Sequence, residues 1–340
     1  MIKSASILLL TAAGLFAAEQ PKALTEANAG LELARQGKYA LAIPHYRSAA
    51  ALDPHLPGIY LDLGLAYFKL EKLPEAAGAF ERAVKADPEN FQAHALLGMS
   101  YYGLRKFNAA AVQLDLAARR QPENIELRYK LAQSYLWSQQ YDQAIREFRF
   151  LLEKNPDSAP VHMLLGEVLD SAKQTDQAIA EFEAAAKASP NEPEVHFGLG
   201  YLWWKQKRYD DARREFEAEL SRQPKHVQAL TYLGDAEVFT QNASAAERHL
   251  QAALALDPKT RLAHLDLGIV LADKGEPDAA AQHLREAIRL DPSKPDAHYR
   301  LGKLMQSLGR KPEADEEFAR AKALATHEPE PLLKLNGTRN

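Results

Sequence analysis

Five histidines occupy equivalent positions of a regular spacing, since His94, His162, His196, His264 and His298 are separated by 34 or 68 residues. Imidazole is a common ligand of zinc and other transition metals, so a ladder of histidines could bind metal ions. If the spacing reflects a repeated helical unit, equivalent helices stand about 10 Å or more apart, whereas zinc–nitrogen bonds are about 2.0–2.1 Å long. We therefore predict that these histidines pack or form hydrogen bonds at helix edges, and we predict no metal site.

No other motif in the chain predicts catalysis. The segment Gly98–Gly103 resembles a nucleophile elbow only superficially, because it has one residue too many before the second glycine and no strand precedes it. The chain has no HExxH motif, no P-loop and no cysteine, which excludes disulfides and thiolate metal sites. We predict a protein that is not an enzyme and needs no cofactor.

The histidine spacing belongs to a 34-residue repeat that is visible at several positions. A small residue, here called the marker, recurs every 34 positions at Gly30, Gly64, Gly98, Ala132, Gly166, Gly200, Gly234, Gly268 and Gly302. Twelve residues after each marker lies an alanine: Ala42, Ala76, Ala110, Ala144, Ala178, Ala212, Ala246, Ala280 and Ala314. A fixed period of this length is typical of a repeat array.

Two further positions complete the pattern. Sixteen residues after the marker lies an aromatic residue or leucine: Tyr46, Phe80, Leu114, Phe148, Phe182, Phe216, Leu250, Leu284 and Phe318. Twenty-four residues after the marker lies proline in eight copies, often preceded by aspartate as in Asp53-Pro54 and Asp257-Pro258. Small residues allow two helices to approach closely, and proline ends the second helix because it lacks an N–H group.

This pattern resembles the tetratricopeptide repeat family. One copy shows it clearly in Val195 to Tyr201, Lys207 to Ala212, Glu215 to Ala218 and Gln223-Pro224. The resemblance implies two antiparallel helices per copy, stacked into a right-handed superhelix. We predict an all-α solenoid of about nine 34-residue helix-turn-helix repeats at 23–328, with the boundaries 23–56, 57–90, 91–124, 125–158, 159–192, 193–226, 227–260, 261–294 and 295–328.

The residues outside the repeats carry separate predictions. Residues 1–18 combine Lys3 with an apolar stretch of 12 residues that ends in Ala17-Ala18, which is typical of a secretory signal peptide. The stretch is shorter than the roughly 20 apolar residues of a membrane span. We expect export to the bacterial periplasm or secretion, with no stable membrane span after cleavage; an uncleaved anchor or a buried helix is the alternative. Residues 329–340 form a C-terminal tail.

A stripe along the first helix of each copy is the predicted binding site. The resemblance implies that residues six and three before the marker and one, four and five after it line a concave groove, and this stripe is rich in aromatic and aliphatic side chains. The predicted groove residues are Leu65, Phe68, Met99, Tyr102, Tyr129, Trp137, Met163, Phe197, Tyr201, Trp204 and Phe239. Glu167, Asp170 and Asp235 lie among them and could favour a basic ligand.

These observations predict a non-catalytic scaffold or adaptor of the bacterial cell envelope that binds a protein, as an extended peptide or a helix, in its groove. The net charge of −4 gives no broad basic surface, so the sequence does not suggest binding to nucleic acid. One alternative is an architectural protein that associates end to end through its C-terminal repeat. Another is a subunit that recruits an envelope enzyme or an export complex.

Overall fold

The computed structural model of the chain describes residues 20–325, which form eighteen helices and no strand. The predicted signal peptide and the tail at 329–340 lie outside the described residues. The helices are α1 (Gln20–Arg35), α2 (Tyr39–Leu52), α3 (Ile59–Lys69), α4 (Leu73–Ala86), α5 (Phe91–Gly103), α6 (Phe107–Arg120), α7 (Ile125–Trp137), α8 (Tyr141–Lys154), α9 (Ala159–Ser171), α10 (Thr175–Ala188), α11 (Val195–Lys205), α12 (Tyr209–Arg222), α13 (Val227–Phe239), α14 (Ala243–Leu256), α15 (Arg261–Asp273), α16 (Pro277–Leu290), α17 (Pro295–Ser307) and α18 (Lys311–Leu324).

The helices follow the 34-residue period in pairs, so the predicted all-α helix-turn-helix repeat is confirmed. Six of the first helices begin 34 residues, or a multiple of 34 residues, apart: α5, α7, α9, α13, α15 and α17. The helices α3 and α11 begin two residues later than the period predicts, because Pro57 and Pro193 precede residues with positive φ, Gly58 at 78° and Glu194 at 68°. A left-handed residue at this point cannot belong to the helix that follows it.

The turn within each repeat also has a fixed backbone conformation. The seventh residue after every marker has a positive φ between 58° and 78°: Gly37, Glu71, Arg105, Gln139, Lys173, Lys207, Gln241, Gly275 and Gly309. A left-handed residue reverses the chain within a short connection and so allows the second helix to pack against the first. Only three of these nine residues are glycine, so residue type alone does not reveal the turn.

The marker glycines accept the large side chain of the second helix. A Cβ atom added to Gly64 would lie 2.5 Å from the ring of Phe80, and one added to Gly200 would lie 2.8 Å from the ring of Phe216. The periodic alanines lie beside the same contact and are almost completely buried, as for Ala178 at 0% exposure. In the repeats with a glycine marker, the two helices therefore approach too closely for a larger side chain at either position.

The Asp-Pro pairs form the turns between repeats. Asp53, Asp87, Asp257 and Asp291 each follow the last residue of a second helix with an extended backbone. Each side chain accepts a hydrogen bond from the backbone N–H two residues later, as between Asp53 Oδ1 and His55 N at 2.9 Å. This is an Asx turn, which satisfies the carboxylate while proline prevents the helix from continuing.

The chain divides into two compact units, whose described parts are residues 20–147 and 148–325. In the first unit, α1 packs on α2, α3 on α4 and α5 on α6, and successive first helices contact one another. The second unit repeats this arrangement from α9 to α18. Each helix therefore contacts mainly its neighbours in sequence, as in a repeat array. Within residues 20–325, no helix combines the length and the apolar character that a membrane span requires.

Candidate interaction surface on the first helices

In the first unit, the predicted groove residues are half-buried. This holds for all six of them: Leu65, Phe68, Met99, Tyr102, Tyr129 and Trp137. Each side chain therefore packs on a neighbouring helix with part of its surface and exposes the rest to solvent. Side chains that are packed in this way can bury their remaining surface against a partner with less loss of side-chain entropy.

The second unit requires a correction. Met163, Phe197 and Tyr201 are only 7%, 2% and 3% exposed, so they belong to the interior rather than to an open groove. Phe197, for example, lies 6.0 Å from Phe216 on the second helix of its own repeat, measured between ring centroids. The rings of His226 and Tyr232, from the following repeat, lie 4.9 and 6.1 Å from the Phe197 ring and help to cover it. Phe239, in contrast, is 53% exposed.

An aromatic cluster lies on the first unit and is called here the first aromatic cluster: Tyr102, Phe107 and Trp137. The ring of Phe107 lies 5.6 Å from Tyr102, edge to face, and 6.3 Å from Trp137. The hydroxyl of Tyr102 donates a hydrogen bond to Gln133 Oε1 at 3.1 Å, and the ammonium of Lys130 lies 4.7 Å from the Tyr102 ring centroid. Burial raises the pKa of Tyr102, so the phenol remains a donor at neutral pH.

The equivalent positions of the second unit are also aromatic and are called here the second aromatic cluster: Trp204, Tyr209 and Phe239. The indole N–H of Trp204 donates a hydrogen bond to Asp235 Oδ2. The rings of Tyr209 and Phe239 are parallel, with centroids 4.4 Å apart and an interplanar angle of 2°. Because Phe239 is more than half exposed, the free face of this stacked pair is open to solvent.

The two clusters use the same positions of the repeat. Tyr102 and Trp204 lie four residues after their markers, and each donates a hydrogen bond to the first residue after the next marker. Phe107 and Tyr209 begin the second helices α6 and α12. Each contacts the residue five after the next marker, Trp137 or Phe239. The equivalent residues are 102 positions apart in sequence, which is three repeats.

Phe107 and Tyr209 are functional candidates that the sequence analysis missed. The predicted stripe included only first helices, whereas these two residues begin second helices. A signal was present in the sequence, because both are aromatic and lie nine residues after their markers. The contact between that position and the next repeat is visible only when the helices are in place.

The acidic residues of the predicted groove form internal contacts instead of an open acidic surface. Asp170 is 0% exposed, and its Oδ1 accepts a hydrogen bond from the ammonium of Lys205 at 2.8 Å. Glu167 and Asp235 are 4% and 5% exposed. Asp235 also interacts with the buried carboxyl of Asp266 on α15. The expected attraction of a basic ligand to these carboxylates is therefore not supported by their placement.

Burial shifts the titration of this acidic pair. The apolar surroundings raise the pKa of Asp235 to about 6, with the hydrogen bond from Trp204 acting in the opposite direction. Burial and the neighbouring charge of Asp235 raise the pKa of Asp266 well above its usual range. Two carboxyl groups in contact cannot both ionise without strong repulsion, so the pair retains one proton at neutral pH, which we place on Asp266.

The histidine ladder forms hydrogen bonds at helix edges, as predicted. His162 contacts Glu181 through Nδ1 at 2.6 Å and the Pro156 carbonyl through Nε2 at 2.8 Å. The same two contacts recur at His196, with Glu215 and with the carbonyl of the proline in the preceding turn. Each ring thereby joins both helices of one repeat to the turn before it, which is a structural role.

An apolar cleft of about 550 Å³ lies on the last repeat. It is lined by Pro295, Asp296, Tyr299, Phe318, Ala321, Lys322 and Ala325. Tyr299 is 49% exposed, and its ring lies 5.7 Å from that of Phe318. This surface corresponds to the one on which a following repeat would pack in a longer array.

Comparison with protein families supports the repeat interpretation. A family model described as tetratricopeptide repeat matches residues 129–193, 169–227, 197–259 and 233–295. A second model with the same description matches residues 33–100 and 271–332. None of the curated proteins is a significant match to the chain.

Several solved structures are similar to parts of the chain. YrrB, described as a TPR protein with an unusual peptide-binding site, is 22% identical over 52% of this chain and 91% of its own, with a TM-score of 0.44. TTC0263 of Thermus thermophilus, described as a thermophilic TPR protein, is 26% identical over 49% and 92%, with a TM-score of 0.42. The Cut9–Hcn1 complex of APC/C matches 86% of this chain and 57% of its own at 17% identity and a TM-score of 0.55, a likeness of fold alone.

Proposed function

Because the chain belongs to the tetratricopeptide repeat family, whose fold is typical of protein–protein interaction scaffolds, we propose that it is a non-catalytic scaffold that binds a peptide segment of a partner. The segment, extended or helical, packs against the first helices and inserts apolar side chains at the aromatic clusters. The proposal rests mainly on the recurrence of aromatic residues at the same repeat positions in both units.

The geometry of the clusters supports a peptide ligand. Each cluster offers the face of an aromatic ring that is fixed by contacts with a second ring, Trp137 by Phe107 and Phe239 by Tyr209. Aromatic anchors of this kind contribute much of the binding energy in protein interfaces, because they bury a large area with little loss of side-chain entropy. Aromatic rings that keep part of their surface exposed bury less area on folding than core rings do, so their occurrence in both units favours a binding role.

Polar groups beside the first aromatic cluster suit a peptide backbone. Gln133 and Lys130 lie next to Tyr102, and each can exchange its present contact for a carbonyl group of a ligand. In the second aromatic cluster the residue equivalent to Gln133 is Asp235, which is buried. We therefore propose that the first cluster fixes the position of the ligand backbone and that the second contributes mainly apolar contact.

The test uses single and double substitutions of the exposed anchors. A peptide selected from a random displayed library on the wild-type protein is titrated into Trp137→Ala, Phe239→Ala and the double variant. We expect at least a tenfold loss of affinity for one single variant and a larger loss for the double variant. The control is Phe91→Ala, since Phe91 is 40% exposed but lies at the start of α5, outside the stripe. Equal affinities for all variants would reject the aromatic clusters as the binding surface.

Export to the bacterial cell envelope is the second part of the proposal. It is supported by Lys3 and the apolar residues that follow it within residues 1–18. Fusion of residues 1–30 to a reporter that is active only outside the cytoplasm tests this part. N-terminal sequencing of the mature protein distinguishes cleavage near Ala18 from a retained anchor.

Self-association through the last repeat is the second candidate function, favoured by the cleft beside Tyr299. An exposed apolar surface of this kind can bind the end of another copy, as an additional repeat would. This role is compatible with peptide binding, because the cleft shares no residue with either aromatic cluster.

A further inference from the structure

The histidine ladder changes its chemistry in the eighth repeat. In three other repeats the Nδ1 atom of the first-helix histidine faces a glutamate 19 residues later: His162–Glu181, His196–Glu215 and His298–Glu317, at 2.6–2.7 Å. In the eighth repeat that position is His283, and its Nδ1 lies 2.9 Å from Nδ1 of His264. This pair lies within one repeat, so the spacing of histidines between repeats does not reveal it.

The hydrogen bonds determine which nitrogen atoms carry protons. Nε2 of His264 lies 3.0 Å from the carbonyl oxygen of Pro258, which can only accept, so Nε2 carries the proton. In the neutral ring, Nδ1 of His264 therefore presents a lone pair to His283. The neutral His283 ring must then donate from Nδ1. One proton lies between two nitrogen atoms that are both good metal ligands.

We propose that His264 and His283 form a two-histidine site for a divalent transition-metal ion such as Zn²⁺, Ni²⁺ or Cu²⁺, which binds between the two Nδ1 atoms. Binding moves the His283 proton from Nδ1 to Nε2, so both rings remain neutral and both lone pairs face the ion. Two zinc–nitrogen bonds of about 2.0–2.1 Å at a tetrahedral angle separate the nitrogen atoms by about 3.3–3.4 Å. The rings need to move apart by about 0.5 Å, and each needs to tilt by about 35°, so that both lone pairs face an ion beside the line that joins the two nitrogen atoms.

The surroundings of the pair favour such an ion. Both rings are half-buried, so solvent can reach the site and water can complete the coordination. Burial and the proximity of His264 lower the pKa of His283, which keeps its ring neutral at pH 7. The carboxylate of Glu286 interacts with both rings, although Arg289 also binds it at 2.6 and 2.8 Å.

The expected affinity is moderate. Within residues 20–325, no three side chains of histidine, cysteine, aspartate or glutamate converge as a metal-ligand set. A site with two protein ligands binds more weakly than the three-ligand and four-ligand sites of zinc proteins. The Nε2–H group of His264 is fixed by a backbone carbonyl, which is the usual outer contact of a metal-binding imidazole.

The experiment compares a loss variant with a gain variant, using protein without a histidine tag. His283→Glu converts the pair to the histidine–glutamate contact of the fifth, sixth and ninth repeats, so the fold is retained. Glu215→His creates a second histidine pair in the sixth repeat with the same surroundings at His196 and Pro190. Isothermal titration with ZnCl₂ should show one equivalent fewer for His283→Glu and one more for Glu215→His.

Heteronuclear NMR of the imidazole nitrogen atoms locates the ion. In the wild type, ZnCl₂ should shift the Nδ1 resonances of His264 and His283 together, and the shifts should be absent in His283→Glu. Unchanged stoichiometry in His283→Glu, or zinc shifts confined to other histidines, would overturn the proposal. Peptide binding is tested in a separate experiment with Phe239→Ala. The zinc result therefore does not depend on the proposed scaffold function.

Discussion

The carboxyl group of Asp235 lies between the indole of Trp204 and the carboxyl group of Asp266 in the interior of the second unit. Asp235 and Asp266 are 5% and 2% exposed and belong to the neighbouring first helices α13 and α15. One oxygen of Asp266, Oδ2, is buried without a hydrogen-bond partner. The contact between these two repeats therefore includes a buried acid pair.

This pair predicts that the second unit loses stability as the pH rises. A carboxyl group with a raised pKa in the folded protein stays protonated there, while the unfolded chain releases its proton above about pH 4. Folding then requires proton uptake, which costs more free energy at higher pH. For Asp235 the loss develops between about pH 4 and about pH 6, and the more strongly raised pKa of Asp266 extends it to higher pH.

The substitution Asp266→Asn should stabilise the protein at neutral pH. The amide keeps the shape and can donate to Asp235, yet it requires no proton uptake. We expect a gain of about 1–3 kcal/mol at about pH 7.5, measured by urea unfolding, and almost no gain at about pH 4. Asp273→Asn, at the exposed end of the same helix, is the control. Parallel pH profiles for wild type and Asp266→Asn would contradict the interpretation.

Phe239 and Phe197 should separate binding from stability. Phe197 is 2% exposed and contacts several rings, so Phe197→Ala should cost about 3–5 kcal/mol through the cavity that it leaves. Phe239 is 53% exposed, and Phe239→Ala should cost less than about 1 kcal/mol. Thermal unfolding of the two variants measures the difference. If Phe239→Ala lowers the stability as much as Phe197→Ala does, the Phe239 ring has a structural role.

The periodic alanines provide a test of helix packing. Ala178 is completely buried, and its carbonyl oxygen lies 3.3 Å from the place of a Cβ atom at Gly166. Ala178→Leu should therefore overpack the contact between α9 and α10 and cost roughly 1–3 kcal/mol. Ala180→Leu adds the same side chain on the exposed side of α10 and should change the free energy of unfolding little. Equal effects of the two substitutions would argue against the packing described here.

The repeat was predictable because its physical causes recur at fixed positions. Gly64 and Phe80 contact each other within one helix pair and Ala76 in the same pair is fully buried, so spacing alone predicts this packing. The exposure of the stripe was less predictable. Tyr201 and Phe239 belong to the same predicted stripe, yet one is 3% and the other 53% exposed. Their exposure depends on side chains of the adjacent repeats, which differ from copy to copy.

The cleft on the last repeat predicts self-association that a single charge should weaken. Tyr299→Lys places a cation beside Lys322 in the apolar cleft, so docking of another apolar surface becomes unfavourable. Sedimentation velocity over a range of concentrations should show dimers or longer assemblies for wild type and fewer for Tyr299→Lys. Leu308→Lys, at a residue 44% exposed outside the cleft, is the matched control. A wild type that stays monomeric at every concentration would exclude this role.

The dominance of contacts between neighbouring helices has a mechanical consequence. In a structure of this kind, a pulling force applied to the ends does not have to break one central core. Repeats can detach one after another, each releasing 34 residues and therefore about 110–120 Å of extended chain. A single-molecule extension trace should show a series of small steps of similar length. The repeats should refold when the force is removed.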